Sequence, residues 1–257
     1  KKSYLVYDFD DSIWLPTVSD ANKALKILKN PIKVNSIIRC ARLVITGNQY
    51  LAQHALAFNE NVTVIPSTID TDLYFPKSIV PKSNLVIGWS GSFSTIPHFE
   101  SVLDALIRIQ SIYGRRVSFQ VIGDPSYENS LLGITGKPWN SETELSDLHE
   151  FDIGIMPLPD TDWTRGKCGM KGLQYMAAGI PTIMSPVGVN TDIIEDGVNG
   201  LLAATTGEWV DKLSLLIDSV VLRQQFGRLG RRTVEDRYSV QANRSKYLDL
   251  FSQLIPE

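Results

Sequence analysis

Three cations stand close together in the stretch Arg165-Gly-Lys167-Cys168-Gly169-Met170-Lys171-Gly-Leu-Gln174. Lys167, Lys171 and Gln174 are spaced four and then three residues apart. That spacing brings side chains onto one stripe of a helix. Met170, Leu173 and Ala177 fall on a different, apolar face. Cations at the start of a helix oppose its macrodipole. Arg165, Lys167 and Lys171 therefore carry an electrostatic cost unless an anion offsets it. A pyrophosphate would do so through charge-assisted hydrogen bonds; the plainer alternative is a solvated basic face. Gln174 can donate to and accept from sugar or ribose hydroxyls. Cys168 beside Lys167 has the setting of a lowered thiol pKa, but also of a small apolar residue filling space at a helix start.

A second candidate is the loop Gly88-Trp-Ser-Gly91-Ser92-Phe-Ser94-Thr95. Gly91 would let the backbone approach a phosphate. Ser92, Ser94 and Thr95, with the free N–H groups of a following helix, would hydrogen-bond it. An ordinary tight turn with capping hydroxyls gives the same pattern, and the stretch is neither a P-loop nor a GxGxxG fingerprint. A third candidate is Asp8-Phe-Asp10-Asp11. Aspartates two apart after a strand can hold a divalent metal. They also open haloacid-dehalogenase-like phosphatases, with Asp8 as nucleophile and Asp10 as acid/base. Asp8-Phe-Asp10-Asp11-Ser12 lacks the Thr usual two residues after the second Asp, and no downstream acidic pair follows a strand convincingly. A capped, acidic strand end remains the bland reading. Of the histidines, His54 and His149 read as structural or surface residues. His98 follows the Ser/Thr-rich loop, which allows a place in a cleft.

These residues need elements to hold them. Tyr4–Tyr7 reads as a strand, Ala21–Leu28 and Pro31–Ala41 as helices, and Leu43–Thr46 as a strand. Asn48 caps a helix over Gln49–Phe58, and Val62–Pro66 is a further strand. The polar stretch Lys77–Asn84 reads as a linker. A second alternation follows: strand Leu85–Trp89, helix Pro97–Ile112 and strand Val117–Gly123. Then come helix Glu142–Glu150, strand Asp152–Pro157, helix Lys167–Ala178 stopped by Gly179 and Pro181, and strand Thr182–Ser185. Short extended Val198–Leu202 and helices Trp209–Phe226 and Val240–Leu254 complete the chain. Strands alternating with helices predict parallel sheets covered by helices.

Composition agrees with a globular protein. Of 257 residues, 43% are hydrophobic and 21% charged, and no apolar run reaches the roughly 20 residues of a membrane span. A net charge of −3 gives no reason to expect nucleic acid or an anionic membrane surface as partner. Two separated cysteines, Cys40 and Cys168, make neither a disulfide framework nor a zinc site and fit a reducing, cytoplasmic setting. The chain starts at Lys1 and leads directly into an apolar strand, as though an earlier part were missing.

Several stretches resemble retaining glycosyltransferases of family 4, the group 1 enzymes with the GT-B fold. Arg42-Leu-Val-Ile-Thr-Gly-Asn48-Gln-Tyr-Leu and Val62-Thr-Val-Ile-Pro66-Ser-Thr-Ile-Asp70 look like the last elements of the N-terminal domain. Phe151-Asp-Ile-Gly-Ile-Met-Pro157-Leu, Gln174-Tyr-Met-Ala-Ala-Gly179-Ile-Pro181, and Gly188 through Asp196-Gly197-Val-Asn-Gly200-Leu-Leu look like the donor-domain signature. The family's two glutamates, with seven residues between them, are here Gly166 and Gln174. Its Arg and Lys after the first donor-domain strand give way to Ser92, Ser94 and Thr95. The combination resembles a bacterial subset with "RGKC…K…QYMA".

The resemblance implies an α/β GT-B architecture of two Rossmann-like halves. Residues 1–80 would be the end of a partial acceptor-side half, 81–237 a complete donor-binding half, and 238–257 a helix returning to the first. It implies hexosyltransferase-type transfer, with retention, from a nucleotide-diphosphate sugar to a carbohydrate or lipid-linked acceptor in bacterial polysaccharide or glycolipid synthesis. No metal or other cofactor is expected. Arg165 and Lys171 would stabilise the leaving phosphate. Gly91, Ser92, Ser94, Thr95, Asp124, Trp139, Lys167, Cys168, Gly169, Met170 and Gln174 would bind the donor, with Trp139 stacking on the base or serving a structural role. A lipid-linked acceptor would place the protein at the inner membrane face, in peripheral association through the missing N-terminal part. The alternatives are a non-catalytic nucleotide-sugar-binding module and, further off, the phosphatase.

Overall fold

The computed structural model describes residues 4–15 and 31–254. The helix expected over Ala21–Leu28 lies outside the described residues. The first half is a parallel sheet in the order β1-β2-β3, with β1 at Val6–Phe9, β2 at Leu43–Thr46 and β3 at Val62–Val64. Helices α1 (Pro31–Cys40) and α2 (Gln49–Leu56) join them. Asn48 caps α2 as its sequence predicts, its side chain accepting from the Leu51 N–H. The first strand lies two residues later than expected. Its pairing runs from Val6 opposite Leu43 to Phe9 opposite Thr46, which buries Phe9 and leaves Tyr4 and Leu5 exposed. Asp8 is thereby inside the strand, and Asp10 follows on the same face.

The second half is a five-stranded parallel sheet in the order β10-β9-β8-β4-β5. Its strands are β4 (Leu85–Ser90), β5 (Val117–Ile122), β8 (Ile153–Met156), β9 (Thr182–Met184) and β10 (Leu201–Leu202). A small antiparallel pair, β6 (Glu128–Asn129) and β7 (Ile134–Thr135), follows β5. The strand order reverses at β4: β5 lies on one side of it and β8 on the other. The crevice beyond the carboxyl ends of β4 and β8 is therefore the topological switch point, where open α/β sheets bind ligands.

Helix α3 (Ile96–Glu100) and helix α4 (Leu103–Tyr113) replace the single helix expected over Pro97–Ile112. The break comes at Ser101, whose hydroxyl donates to the His98 carbonyl. Helix α5 is Glu144–Leu148 and α6 is Asp162–Arg165. Helix α7 is Met170–Ala177, shorter at its start than the sequence suggests. Helix α8 is Asn190–Ile193. The helix expected over Trp209–Phe226 is two: α9 (Thr206–Asp218) and α10 (Val220–Thr233). Ser219 separates them and caps the second by accepting from the Leu222 N–H. Helix α11 spans Val240–Leu254.

The main core joins β4 and β5 to α4 and α9 through Ile87, Trp89, Phe99, Leu106, Ile109, Trp209 and Leu213. Each such fully buried side chain contributes about 1.5–3 kcal/mol. On the other face of the sheet Phe151, Tyr175 and Ile180 pack together. Helix α11 returns to the first half, where Tyr247, Leu250 and Leu254 lie on Leu43, Ile45 and Ile65. The segment between the halves is pinned by Arg231, whose guanidinium donates to the carbonyls of Thr71, Tyr74 and Ala177.

Candidate functional site

The switch-point crevice is floored by Trp89, the fully buried last-but-one residue of β4. Gly91 follows it because a Cβ there would collide with the Trp89 ring. Gly123, at the end of β5, has φ +117° and lies so close that a Cβ would strike the Gly91 carbonyl. The loop backbone is thus held tightly, with the Gly91 N–H donating to the Ile122 carbonyl at 2.9 Å. The hydroxyls expected to bind phosphate mostly serve one another. Ser92 and Ser94 share a hydrogen bond at 2.9 Å, and Thr95 Oγ1 accepts from the Ser92 N–H at 3.0 Å. These bonds make a capped turn, with the hydroxyls exposed at the crevice.

Helix α7 is fixed against the same strand by Tyr175. Its buried hydroxyl accepts from the Ser90 N–H at 2.7 Å and bonds the Ser90 hydroxyl at 2.9 Å. One turn earlier, Lys171 extends its ammonium over Trp89, 5.7 Å from the ring centroid. No carboxylate within ion-pair distance and no hydrogen bond engages that ammonium among the described residues. Burial, and next the Lys167 ammonium, bring its pKa down to about 8, against a weaker opposing pull from Asp11. His98, on α3 after that loop, lies within electrostatic reach of Lys171 and Lys167. Burial, then Lys171, then Lys167 push its imidazole down to about 4.

The expected cluster of three cations on one helix start is not what forms. Lys167 is not on the helix. Its N–H closes the preceding turn on the Thr164 carbonyl, and Gly169 begins α7 from a left-handed conformation at φ +73°. The Lys167 ammonium donates to both oxygens of Asp11, at 2.8 and 3.1 Å, and lies 4.8 Å from the Trp163 ring. Arg165 turns outward and donates to Asp160 at 2.7 and 3.1 Å. Lys171 is left as the cation with charge to spare.

Cys168 is buried between the halves rather than poised to react. Its thiol donates to the Asp10 carbonyl, and burial, then the Asp10 carboxylate, push its pKa up to about 12. Asn48 reaches across and donates to the carbonyls of Gly166 and Lys167 at 3.2 and 3.1 Å. Gly166 itself has no room for a side chain: a Cβ would collide with Ser12 Oγ and stand 3.1 Å from Leu51 Cδ2. Met170, half-exposed, lines a cavity of about 370 Å³ with Asp8, Asp10, Ser67, Thr68 and Tyr247. Burial, then Asp10, raise the Asp8 pKa. A second cavity, of about 550 Å³, shares Gly47 and Pro66 with the first and is lined also by Asp192, Arg237 and Lys246.

Gln174 donates to the Tyr74 hydroxyl at 2.9 Å and to Glu144 Oε1 at 3.1 Å. The Trp139 indole N–H donates to the same oxygen at 2.7 Å, and Tyr74 donates to Oε2. Burial, then the bond to Glu144, raise the Tyr74 pKa to about 12. Trp139 and Gln174, far apart in sequence, thus meet at one carboxylate that the sequence did not single out. Asp124 instead caps its own turn, accepting from the Ser126 N–H and hydroxyl at 2.9 and 2.6 Å. Among the described residues no group of three or more His, Cys, Asp or Glu side chains is placed to hold a metal, and no helix is long and apolar enough to cross a membrane.

The fold is that of known sugar-transferring enzymes. Sucrose-phosphate synthase of Thermosynechococcus elongatus superposes with a TM-score of 0.72 at 14% identity, over 97% of this chain and 67% of that one. HepE of Anabaena, solved in complex with UDP and glucose, gives 0.74 at 17% identity, over 97% and 71%. A glycosyltransferase of Rickettsia africae gives 0.70 at 14% identity, over 96% and 70%. These likenesses establish a GT-B fold, of which the chain spans a part. No curated protein matches the sequence. The family model described as Glycosyl transferases group 1 matches residues 84–219, which is the five-stranded half with the crevice at β4 and β8. With more than half of its length so matched, the chain belongs to the group 1 glycosyl transferases.

Proposed function

We propose that this protein moves a sugar from a nucleotide-diphosphate-sugar donor to a carbohydrate or lipid-linked acceptor, with retention, as a hexosyltransferase of the family 4 type. The observation that carries this reading is Lys171: a half-buried ammonium, without an anionic partner among the described residues, at the mouth where an α/β sheet takes its ligand. A donor diphosphate would supply the missing charge. The bond from the sugar C1 to the diphosphate breaks, and a bond from C1 to the acceptor oxygen forms on the same face. The acceptor's proton leaves with the diphosphate. Negative charge grows on the leaving phosphate, so groups already aimed at it lower the barrier. Lys171 is the main such group, with the start of α7 beside it. Lys167 joins once the diphosphate competes with Asp11. Arg165, tied to Asp160, stands outside this set. No metal enters the scheme.

Trp139, Glu144 and Gln174 form the side of the crevice suited to ribose and base: a carboxylate and an amide for hydroxyls, an exposed indole for stacking. The adjoining cavities lined by Asp8, Asp10, Ser67 and Tyr247 suit the hydroxyls of an acceptor. An acceptor carried on a lipid would put the enzyme on the cytoplasmic membrane face, within bacterial polysaccharide or glycolipid synthesis. The fold of Anabaena HepE, whose structures hold UDP, glucose and UDP-glucose, supports a uridine donor as the first to try.

The test is direct. The protein is offered UDP-, GDP- and ADP-sugars, and binding, hydrolysis and transfer are followed. Binding with turnover supports the proposal. Tight binding without turnover would favour a nucleotide-sugar-binding module, a reading that the side-chain-free Gly166 recommends. Magnesium-dependent phosphate release lost in Asp8→Asn would replace both with the phosphatase.

A further inference from the structure

The histidine after the Gly91 loop has no place in the scheme so far. His98 is half-buried on α3, and no hydrogen bond of its ring is found among the described residues. Its neighbour Phe99 packs on Trp89, the ring centroids 5.7 Å apart, and Trp89 carries the Lys171 ammonium above it. The indole therefore fixes α3 and α7 relative to each other, with His98 and Lys171 at one crevice. The charged groups around His98 come from two places: Lys171 on α7 and Lys167 in the loop before it. Asp11, after β1, faces those two lysines. Glu100, on the same helix as His98, bears on Tyr127 instead.

Burial, the unpaired Lys171 ammonium and, less, the Asp11-paired Lys167 make this a place where an imidazole stays neutral. A diphosphate reverses the field. Its two charges would lie between the lysines and the ring, and an opposite charge within hydrogen-bonding reach moves a pKa by about one to three units. We propose that His98 takes up a proton as the donor diphosphate enters the crevice and then donates a hydrogen bond to it, so that donor binding is coupled to proton uptake. This rests on the reading of the crevice as the donor site. Starting from about 4, a rise of two to three units, the upper part of that range because both phosphate charges act on the ring, would bring the imidazole to roughly 6 to 7 in the complex. The empty crevice keeps His98 uncharged, which limits repulsion with Lys171; the occupied crevice gains a third cation.

The experiment is titration calorimetry of the protein with UDP-glucose at pH 6, in buffers of different ionisation enthalpy. The heat then counts protons. UDP-glucose is the right probe because its diphosphate is esterified at both ends and has no proton of its own to lose near pH 6. Lys171, already protonated at that pH, contributes no uptake. The wild type should take up roughly half a proton or more per ligand. His98→Asn should take up almost none, bind about two- to tenfold more weakly at pH 6, and approach the wild type at pH 8.5. Should His98→Asn fail to fold, the unmodified protein still decides. With three histidines in the chain, the imidazole resonance of His98 can be followed by NMR, and it should move to the protonated position as UDP-glucose is added at pH 6. Binding without proton uptake, or uptake unchanged in His98→Asn, would overturn the proposal and leave the donor site standing. No binding of UDP-, ADP- or GDP-glucose overturns the donor site and the proposal with it.

Discussion

Replacing Lys171 with methionine should make the empty protein more stable and the enzyme worse. In the empty crevice the ammonium is held at a pKa of about 8 against an ordinary 10.5, first by burial and then by Lys167. The direction fixes the sign. A lysine whose pKa falls on folding binds its proton more tightly in the unfolded chain. Stability is therefore lowered below pH 8 and recovers as pH rises from about 8 to 10.5. Two and a half pKa units at about 1.4 kcal/mol each set the penalty at roughly 3 kcal/mol at pH 7. Methionine keeps the unbranched stem to within one atom and removes the charge. It also loses the cation–π contact with Trp89, worth about 0.5–1 kcal/mol. The net gain is on the order of 2 kcal/mol, or about 4–8 °C in Tm for a chain of this size. Thermal unfolding at pH 7 and pH 10 reads both numbers: the variant leads at pH 7, and the lead shrinks at pH 10. Donor turnover should fall by roughly 10²–10³, the loss typical of a preorganised group facing a developing anion. A variant less stable than the wild type at pH 7, with a difference that does not change with pH, would refute the account of Lys171 as an uncompensated, half-buried cation.

The contact between the halves can be tested at Gly166. Gly166→Ala should lose about 1–3 kcal/mol to overpacking against Ser12 and Leu51; denaturant titration measures it, and a second change, Ser12→Gly, should restore part of it. The two cysteines should differ in reactivity. At pH 8 in the native state, iodoacetamide should label exposed Cys40 and spare Cys168, which is buried with its thiol pKa near 12; mass spectrometry of the digest decides, and modification of Cys168 at the rate of Cys40 would contradict the buried placement.

What could be read ahead of the structure was what lies locally in the chain. The apolar run Leu43–Thr46 gave its strand, and Asn48 announced the helix it caps. The breaks at Ser101 and Ser219 escaped notice because the apolar period continues across both, and only the capping hydroxyls separate the helices. The stripe of Lys167, Lys171 and Gln174 failed for a backbone reason: Gly169 takes a left-handed conformation, so Lys167 ends one turn and Lys171 belongs to the next. Partners distant in sequence were not readable at all. Nothing local ties Glu144 to Trp139 and Gln174, or Asp11 to Lys167, or His98 to Lys171; those meetings are made by the order of the strands. The alternation of strands and helices announced parallel sheets, but neither the reversal of order at β4 that places the crevice nor the charge of that crevice was readable.

The charge follows from how the two halves meet. A glycine at 166 lets Ser12 and Leu51 close onto the loop before α7, and Asp11 arrives with Ser12. Asp11 then neutralises Lys167, while Lys171, two residues beyond the left-handed Gly169, is out of its reach for a direct ion pair. The same closure that excludes a side chain at 166 thus sorts two neighbouring lysines into a paired one and an unpaired one. A glutamate at 166 would disturb both: it would hold the halves apart, and it would put a carboxylate beside the cations that the donor needs. The departure from the two-glutamate pattern and the unpaired Lys171 are, on this argument, one arrangement. The anion that completes it has to come from outside the chain.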